Sequence, residues 1–461
     1  MTGDSNPLNA APVLAPGRMP VWSALALASF HAAQTFGLGW LLLPCAYALI
    51  ALSHAPSRRL VFYPMLAVGF LFYAPQLGFF WGIFGPPAVL LWLVLAFWIG
   101  LFGLLLRLVR LRFGHGWMLA LAPFLWTGLE YFRSELYYLR FGWLTFGMAG
   151  FGPGLATPGV YGWGFALLAA AAALHGLRKG KAAAGLALVS LGLLAGRIGG
   201  GAAAPPDESA GGVPVAGIQL EFPTDEQVLA GLAKARAKFP AAQLFMLSEY
   251  TFQSPPPQAV RDWCAANQVY LVVGGKEPLG RTNFYNMAYV IGTNGVIVHQ
   301  QAKSVPIQFF QDGRPAPERK VWDSPWGKLG VLTCYDLSYT RVVDDFVRQG
   351  AVALLNPAMD AVEWGAHEHR LHARVTPVRA AEYGIPIFRV ASSGLSQLVA
   401  PNGRVLASAP FPGQGEVIGG ALPLTARPRL PLDRRLAPVC VAITVAAMIG
   451  SLLPRRNRNH E

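Results

Sequence analysis

Charge is scarce in this chain, and acid is scarcest. Only 13% of its 461 residues are Asp, Glu, Lys or Arg, against about 25% in an average soluble domain. With 53% hydrophobic and 12% aromatic residues, this excludes a disordered chain or a coiled coil. The 24 acids face 37 basic residues, a formal net charge of +13. Residues 1–203 hold only three of those acids, Asp4, Glu130 and Glu135. In a soluble protein such a basic excess would suggest nucleic acid. Here the cations sit in short clusters between long uncharged apolar runs, which is the pattern of a membrane protein, and no nucleic-acid partner is expected. Cysteine is also scarce. Cys45, Cys264, Cys334 and Cys440 are too few for a disulfide framework in a chain this long, and the one pairing worth weighing is Cys264 with Cys334. There is no internal repeat and no glycine-rich phosphate loop.

What is there divides the chain between two solvents. No cleavable leader is expected, because the first twenty residues are polar and proline-rich. About 20 apolar residues cross roughly 30 Å of hydrocarbon as a helix. By that length, spans are predicted at 20–36, 38–54, 60–81, 86–106, 116–133, 159–176, 182–200 and 436–453. Short cytoplasmic loops collect Lys and Arg. A cytoplasmic N-terminus satisfies this, placing Arg18, then Arg58 and Arg59, then Arg107, Arg110 and Arg112, then Arg178, Lys179 and Lys181, and finally Arg455, Arg456 and Arg458 on the inner side. The expected organisation is a tail over 1–19, a seven-helix transmembrane domain over 20–203, an extracytoplasmic catalytic domain over 207–425, a closing helix over 434–454 and a tail over 455–461. The aromatic loop 134–158 is expected at the membrane interface.

Between 207 and 425 short apolar runs alternate with helical ones. Strands are predicted at 213–220, 242–250, 269–275, 284–292, 295–301, 328–336 and 352–358, and helices at 225–239, 257–267, 340–349 and 367–384. Strands that are almost wholly apolar belong to sheets covered on both faces, so an α/β sandwich follows.

A buried strand that ends in an ionisable group spends stability on it, so such ends are the places to look for chemistry. One strand ends at Ser248-Glu249-Tyr250, a second leads to Lys303, and a third ends at Cys334-Tyr335-Asp336. Carboxylate, ammonium and thiol are the parts needed for covalent acyl transfer: a nucleophile, a proton acceptor and an oxyanion partner. A neighbouring lysine is expected to lower the thiol pKa. Each residue also has an ordinary reading. A strand-end thiol is commonly a small core residue, Glu249 could cap a helix, and Lys303 could be solvated.

The segments FMLSEY, HQQAKSVP and LTCYD resemble the nitrilase (carbon-nitrogen hydrolase) superfamily, whose members carry a Glu-Lys-Cys triad in that order on an α-β-β-α sandwich. LWTGLEYFR (125–133), FGWLTFGMAGFG (141–152), GVYGWGF (159–165) and the stretch 369–405 look like the membrane-bound branch of that superfamily, the apolipoprotein N-acyltransferase family. The fold class so implied is an α-helical transmembrane domain of about eight spans plus an extracytoplasmic nitrilase-like sandwich. The resemblance implies acyl transfer from a phospholipid donor to the amine of a diacylglyceryl lipoprotein acceptor through a thioester on Cys334. Glu249 would be the base and Lys303 the oxyanion support, with no cofactor and no metal. It further implies a multi-pass, monomeric protein of the cell inner membrane in contact with membrane lipid, its catalytic domain on the periplasmic face. The alternatives are a membrane-bound amidase, an acyltransferase with another amine acceptor, or a non-catalytic lipoprotein-binding scaffold.

Two departures from the family pattern stand out. The family's second acid after the lysine has no counterpart in Ser304–Gln311, where Gln308 or Gln311 is left to hydrogen-bond Lys303. The family's Cys-Tyr-Glu reads Cys334-Tyr335-Asp336 here. Tyr138, Trp143, Trp364 and Glu130 are candidates for substrate binding, although Glu130 could simply pair with Arg133 and the aromatics could be interfacial anchors. Arg370, Arg374 and Arg379 could bind headgroups or form a solvated face. His367, His369 and His372 with Glu363 and Glu368 do not make a compelling ligand spacing.

Overall fold

A computed structural model of the chain describes residues 13–150, 157–177, 212–425 and 428–453. The expected span 182–200, the linker 199–206, Arg178, Lys179, Lys181 and the tail 455–461 lie outside the described residues. The chain forms two compact units, one helical and rejoined from Leu432 onward, the other ending at Pro431.

The helical unit contains Met19–Phe36 (α1), Leu42–Leu52 (α2), Arg58–Gln76 (α3), Phe79–Phe84 (α4), Pro87–Phe113 (α5), His115–Tyr131 (α6) and Gly159–Gly176 (α7), and is completed by the closing helix Asp433–Leu452. Gly37, at φ 65°, ends α1 in the left-handed conformation that a side chain resists. Ser57 caps α3 by accepting the Leu60 N–H at 3.1 Å. Among the described residues three helices are long and apolar enough to cross a membrane: α5, α7 and the closing helix. The count of about eight spans is therefore not reproduced, although α1, α2, α3 and α6 fill four of the other predicted intervals. Polar side chains that meet between helices account for part of the difference. Gln76 of α3 lies 3.0 Å from His31 of α1, a polar contact between helices that lowers the apolarity of both.

In the loop after α6, expected at an interface, residues 141–149 are buried. Glu130 accepts the Phe146 N–H at 3.0 Å and lies 3.9 Å from Arg133, which donates to the Phe141 carbonyl at 3.1 Å. The buried acid and arginine thus tie this aromatic loop to α6.

The second unit holds Val213–Ile218 (β1), Asp225–Lys238 (α8), Leu244–Met246 (β2), Gln258–Asn267 (α9), Tyr270–Leu279 (β3), Asn283–Ile291 (β4) and Ile297–Ala302 (β5). There follow Trp322–Ser324 (β6), Gly327–Val331 (β7), Thr340–Arg348 (α10), Ala353–Ala358 (β8), Gly365–Tyr383 (α11), Ile387–Ala391 (β9), Ser396–Val399 (β10), Val405–Ala409 (β11) and Val417–Leu422 (β12). The closing helix of the first unit is α12. Two six-stranded sheets run β12-β1-β2-β3-β4-β5 and β11-β10-β9-β8-β7-β6. Alternation along each strand divides the core. Leu244, Met246 and Val272 pack against Val331, Leu355 and Phe388 of the other sheet. Phe245, Leu271 and Val273 instead join Val228, Leu232 and Val260 of α8 and α9. Because both faces are covered, the strands read as apolar at every position, and the domain is an α-β-β-α sandwich. Parallel pairing of β2 with β3 and of β7 with β8 aligns their carboxyl ends, the edges from which the candidate residues emerge.

Candidate active site

Glu249 follows β2, Lys303 directly follows β5, and Cys334 lies three residues past β7. All three are at most 2% exposed. Lys303 Nζ lies 2.9 Å from Glu249 Oε1, and the Cys334 thiol is close enough to the Glu249 carboxyl to interact with it electrostatically. Residues 85 positions apart in the chain are thus brought together. A thiol, a proton acceptor and a cation in one buried cluster provide for nucleophilic attack, proton transfer and charge stabilisation.

Sequence reasoning missed a fourth member. Asp312 Oδ2 sits 2.7 Å from Lys303 Nζ, so the carboxylate thought absent from this loop is supplied one residue beyond Gln311. Asp312 also accepts from Tyr250 OH at 2.6 Å, Asn286 Nδ2 at 2.9 Å and the Ile307 N–H at 2.7 Å. Its signal was there to be read: a lone acid in a largely apolar loop nine residues after the lysine. Gln311 is exposed and Gln308 half-buried on the same loop. Asn286 bridges the two acids, donating also to Glu249 Oε1 at 2.6 Å. Glu249 Oε2 accepts the Met359 N–H at 2.9 Å, and the Met359 carbonyl faces Cys334 Sγ at 3.6 Å.

The electrostatics follow from burial. Glu249 is raised above the usual glutamate value, first by desolvation and further by Asp312, while Lys303 pulls it down. Burial alone would lower Lys303, but Asp312 and Glu249 outweigh it and hold the ammonium charged. Lys303 pulls the thiol down as expected, but it is outweighed. Burial and the Glu249 charge push the Cys334 thiol well up against the opposing pull of Lys303, so the resting sulfur keeps its proton. The nucleophile must be made during attack, by transfer of that proton to Glu249.

Cys334 sits at φ 51°, a left-handed turn that costs a non-glycine residue about 1 kcal/mol or more. Its surroundings enforce the turn. Asp336 accepts the N–H groups of Ser304 at 2.9 Å, Val305 at 2.7 Å and Thr333 at 3.3 Å, clamping the lysine loop to the cysteine turn. Burial pushes the Asp336 carboxyl up to about 6 despite these donors. Asn356 donates to the carbonyls of Leu332 and Cys334 at 2.9 and 3.3 Å. Buried Arg379 donates to the carbonyls of Leu337 and Ser338 at 3.1 and 2.7 Å, a structural place and not the headgroup site considered for it. Tyr335 is buried edge-to-face on Tyr339, with centroids 5.0 Å apart.

The remaining candidates are dispersed. Glu130, Tyr138 and Trp143 belong to the helical unit. There Trp143 is buried against Phe141, Glu130 is buried on the loop already described, and Tyr138 is 71% exposed. Trp364 is half-buried, its ring 6.1 Å from that of Phe310 on the lysine loop. Cys264 and Cys334 are both free thiols, so the bridge between them is not made. Among the described residues Asp360, Glu368 and His372 have ligand-type atoms within 4.8 Å of one another. The Arg389 guanidinium lies 2.6 Å from Asp360 and already supplies the cation there.

Residues 229–425 match the model of the carbon-nitrogen hydrolase family. An apolipoprotein N-acyltransferase of Rhizobium rhizogenes is 31% identical over 170 residues, which are 31% of this chain and 30% of that protein. A deaminated glutathione amidase of Dictyostelium discoideum is 31% identical over 172 residues, covering 32% of this chain and 59% of that one. The chain therefore spans less than two-thirds of the length of these relatives. A crystal structure of Saccharomyces cerevisiae Nit3, of the nitrilase superfamily, covers 54% of this chain and 97% of its own at 18% identity and a TM-score of 0.39.

Proposed function

We propose that this chain, a divergent nitrilase-superfamily relative of the apolipoprotein N-acyltransferases, moves a fatty acyl group from a phospholipid to the N-terminal amine of a diacylglyceryl-cysteine lipoprotein. What supports this reading above all is the buried cluster of Cys334, Glu249 and Lys303 in a chain that also carries membrane-length apolar helices. Cys334 Sγ attacks the ester carbonyl while Glu249 takes the thiol proton. The tetrahedral oxyanion is met by Lys303 and the N–H of Tyr335. Collapse expels the lysophospholipid oxygen, which takes the proton from Glu249, and leaves a thioester. The lipoprotein amine then attacks that thioester, Glu249 removes the amine's surplus proton, and the thiol is regenerated as the amide forms. When Glu249 is protonated its negative charge has passed to the tetrahedral oxyanion, so the net charge of the cluster is unchanged and Lys303, still paired with Asp312, faces the new anion.

A second reading, hydrolysis of an amide with water as the acceptor, draws on the similarity to the amidase. Purified protein incubated with phospholipid separates the cases. Acyl mass on Cys334 in wild type and none in Cys334→Ala is expected, and wild type without an adduct removes the acyl-enzyme. Transfer of that acyl group to a diacylglyceryl-cysteine peptide is expected to outrun its release to water. Release to water regardless of peptide would favour the amidase.

A further inference from the structure

Behind the site lies a second buried polar cluster that the reaction as described does not use. Asp360, wholly buried, receives Arg389 Nη2 at 2.6 Å on one oxygen and His372 Nδ1 at 2.6 Å on the other. Arg389 also donates to the Leu395 carbonyl. Glu368 lies 3.9 Å from His372, and His369 donates to the Ala361 carbonyl at 2.8 Å. The backbone of Asp360 is held as well. Its N–H donates to Ser392 Oγ at 3.0 Å, and that hydroxyl donates back to the Asp360 carbonyl at 3.0 Å. There is no room for slack, since a Cβ on Gly394 would lie 2.1 Å from Asp360 Oδ2.

The consequence falls on the preceding residue. Met359 faces both reacting side chains with its backbone, its N–H on Glu249 Oε2 and its carbonyl toward Cys334 Sγ. Its peptide plane toward Asp360 is fixed from behind by a side-chain ion pair and a reciprocal serine bond. So much buried hydrogen bonding on one residue is costly unless fully matched, and when matched it fixes a single geometry. We propose that Asp360, with His372, Arg389 and Ser392, is a positioning device that holds the Met359 peptide so that Glu249 and the Cys334 thiol stay aligned for proton transfer. This rests on the reading of Glu249 as the base for Cys334.

The test is a double-mutant cycle on the full chain in detergent, reading the rate at which iodoacetamide alkylates Cys334 by mass. Glu249→Gln is expected to slow alkylation by about 100-fold, the lower range for a general base. Asp360→Ala is expected to slow it by about 10-fold through misplacement of Glu249. In the Glu249→Gln background Asp360→Ala should add nothing, because it acts through the group already lost. Asp360→Asn, which keeps an acceptor for His372, should recover part of the rate. Asp360→Ala strands a buried guanidinium, so the cycle is also run with Ser392→Ala, which removes only one hydroxyl and should behave alike on a smaller scale. An equal loss in both backgrounds overturns the proposal in favour of general disruption, as does a normal rate in Asp360→Ala and Ser392→Ala. A Glu249→Gln rate equal to wild type removes the base reading itself, and the proposal falls with it.

Discussion

Lys303 sits between two carboxylates, and this sets the site's proton balance. With Asp312 2.7 Å and Glu249 2.9 Å from one ammonium, two negative charges compete for a single cation away from water, and burial together with the Asp312 charge drives Glu249 upward. Glu249 accepts a proton only when ionised, so activity should fall as pH drops through its raised value, above the ordinary glutamate range. Asp312→Asn removes a charge that raises Glu249. The acid limb of the rate profile should then move to lower pH, with kcat reduced by no more than about 10-fold because Glu249 becomes the weaker base but is still present. A limb that stays in place would separate Asp312 from the base. Asp336 makes a different case. Three backbone N–H groups converge on it, and Asp336→Asn would turn an NH₂ toward one of them. A loss of about 1–3 kcal/mol is expected, read as a lowered midpoint in thermal unfolding.

At the scale of elements, the site is made by strand ends that lean on each other's backbones. Gly274 in β3 shows how closely: a Cβ there would stand 2.5 Å from Glu249 Cα and 2.7 Å from the Ser248 carbonyl oxygen. Both neighbours are backbone, so the clash cannot be relieved by a side-chain rotation. Gly274→Ala should therefore displace the Glu249 turn, destabilise the domain by about 1–3 kcal/mol and abolish Cys334 acylation. Wild-type acylation in a well-folded Gly274→Ala protein would show that Glu249 tolerates the shift. Tyr250 and Cys334 both take positive φ, 54° and 51°, at the ends of opposite sheets, where their side chains reach the cluster. The positions of β1 to β5, β7 and β8 could be read from the chain because their apolar runs are strong, although β2 and β7 are shorter than the runs 242–250 and 328–336. β6 and β9 to β12 are not among the predicted strands. Arg389 sits inside β9, and Gly419 and Gly420 interrupt β12, which obscures the pattern of a buried strand.

For the whole molecule, the two-solvent division of the sequence yields a testable orientation. With Cys334→Ala as the background and the other three native cysteines buried, an engineered thiol reports alone. Thr282→Cys, on the exposed hairpin turn between β3 and β4, should react with a membrane-impermeant maleimide added to intact spheroplasts. Labelling only after lysis would put the sandwich on the cytoplasmic side and remove the proposed lipoprotein acceptor.

The chain by itself determined where charge is excluded, which runs are apolar on both faces, and that an acid, a lysine and a thiol stand in order at strand ends. Each of these is a local property of neighbouring side chains. Tertiary structure alone decided that Asp312 completes the cluster, that Met359 serves Glu249 and Cys334 through its backbone, and that the resting thiol is neutral. Those outcomes depend on which distant loops converge and how completely they expel water, and neither spacing along a chain nor composition fixes a dielectric or a partner.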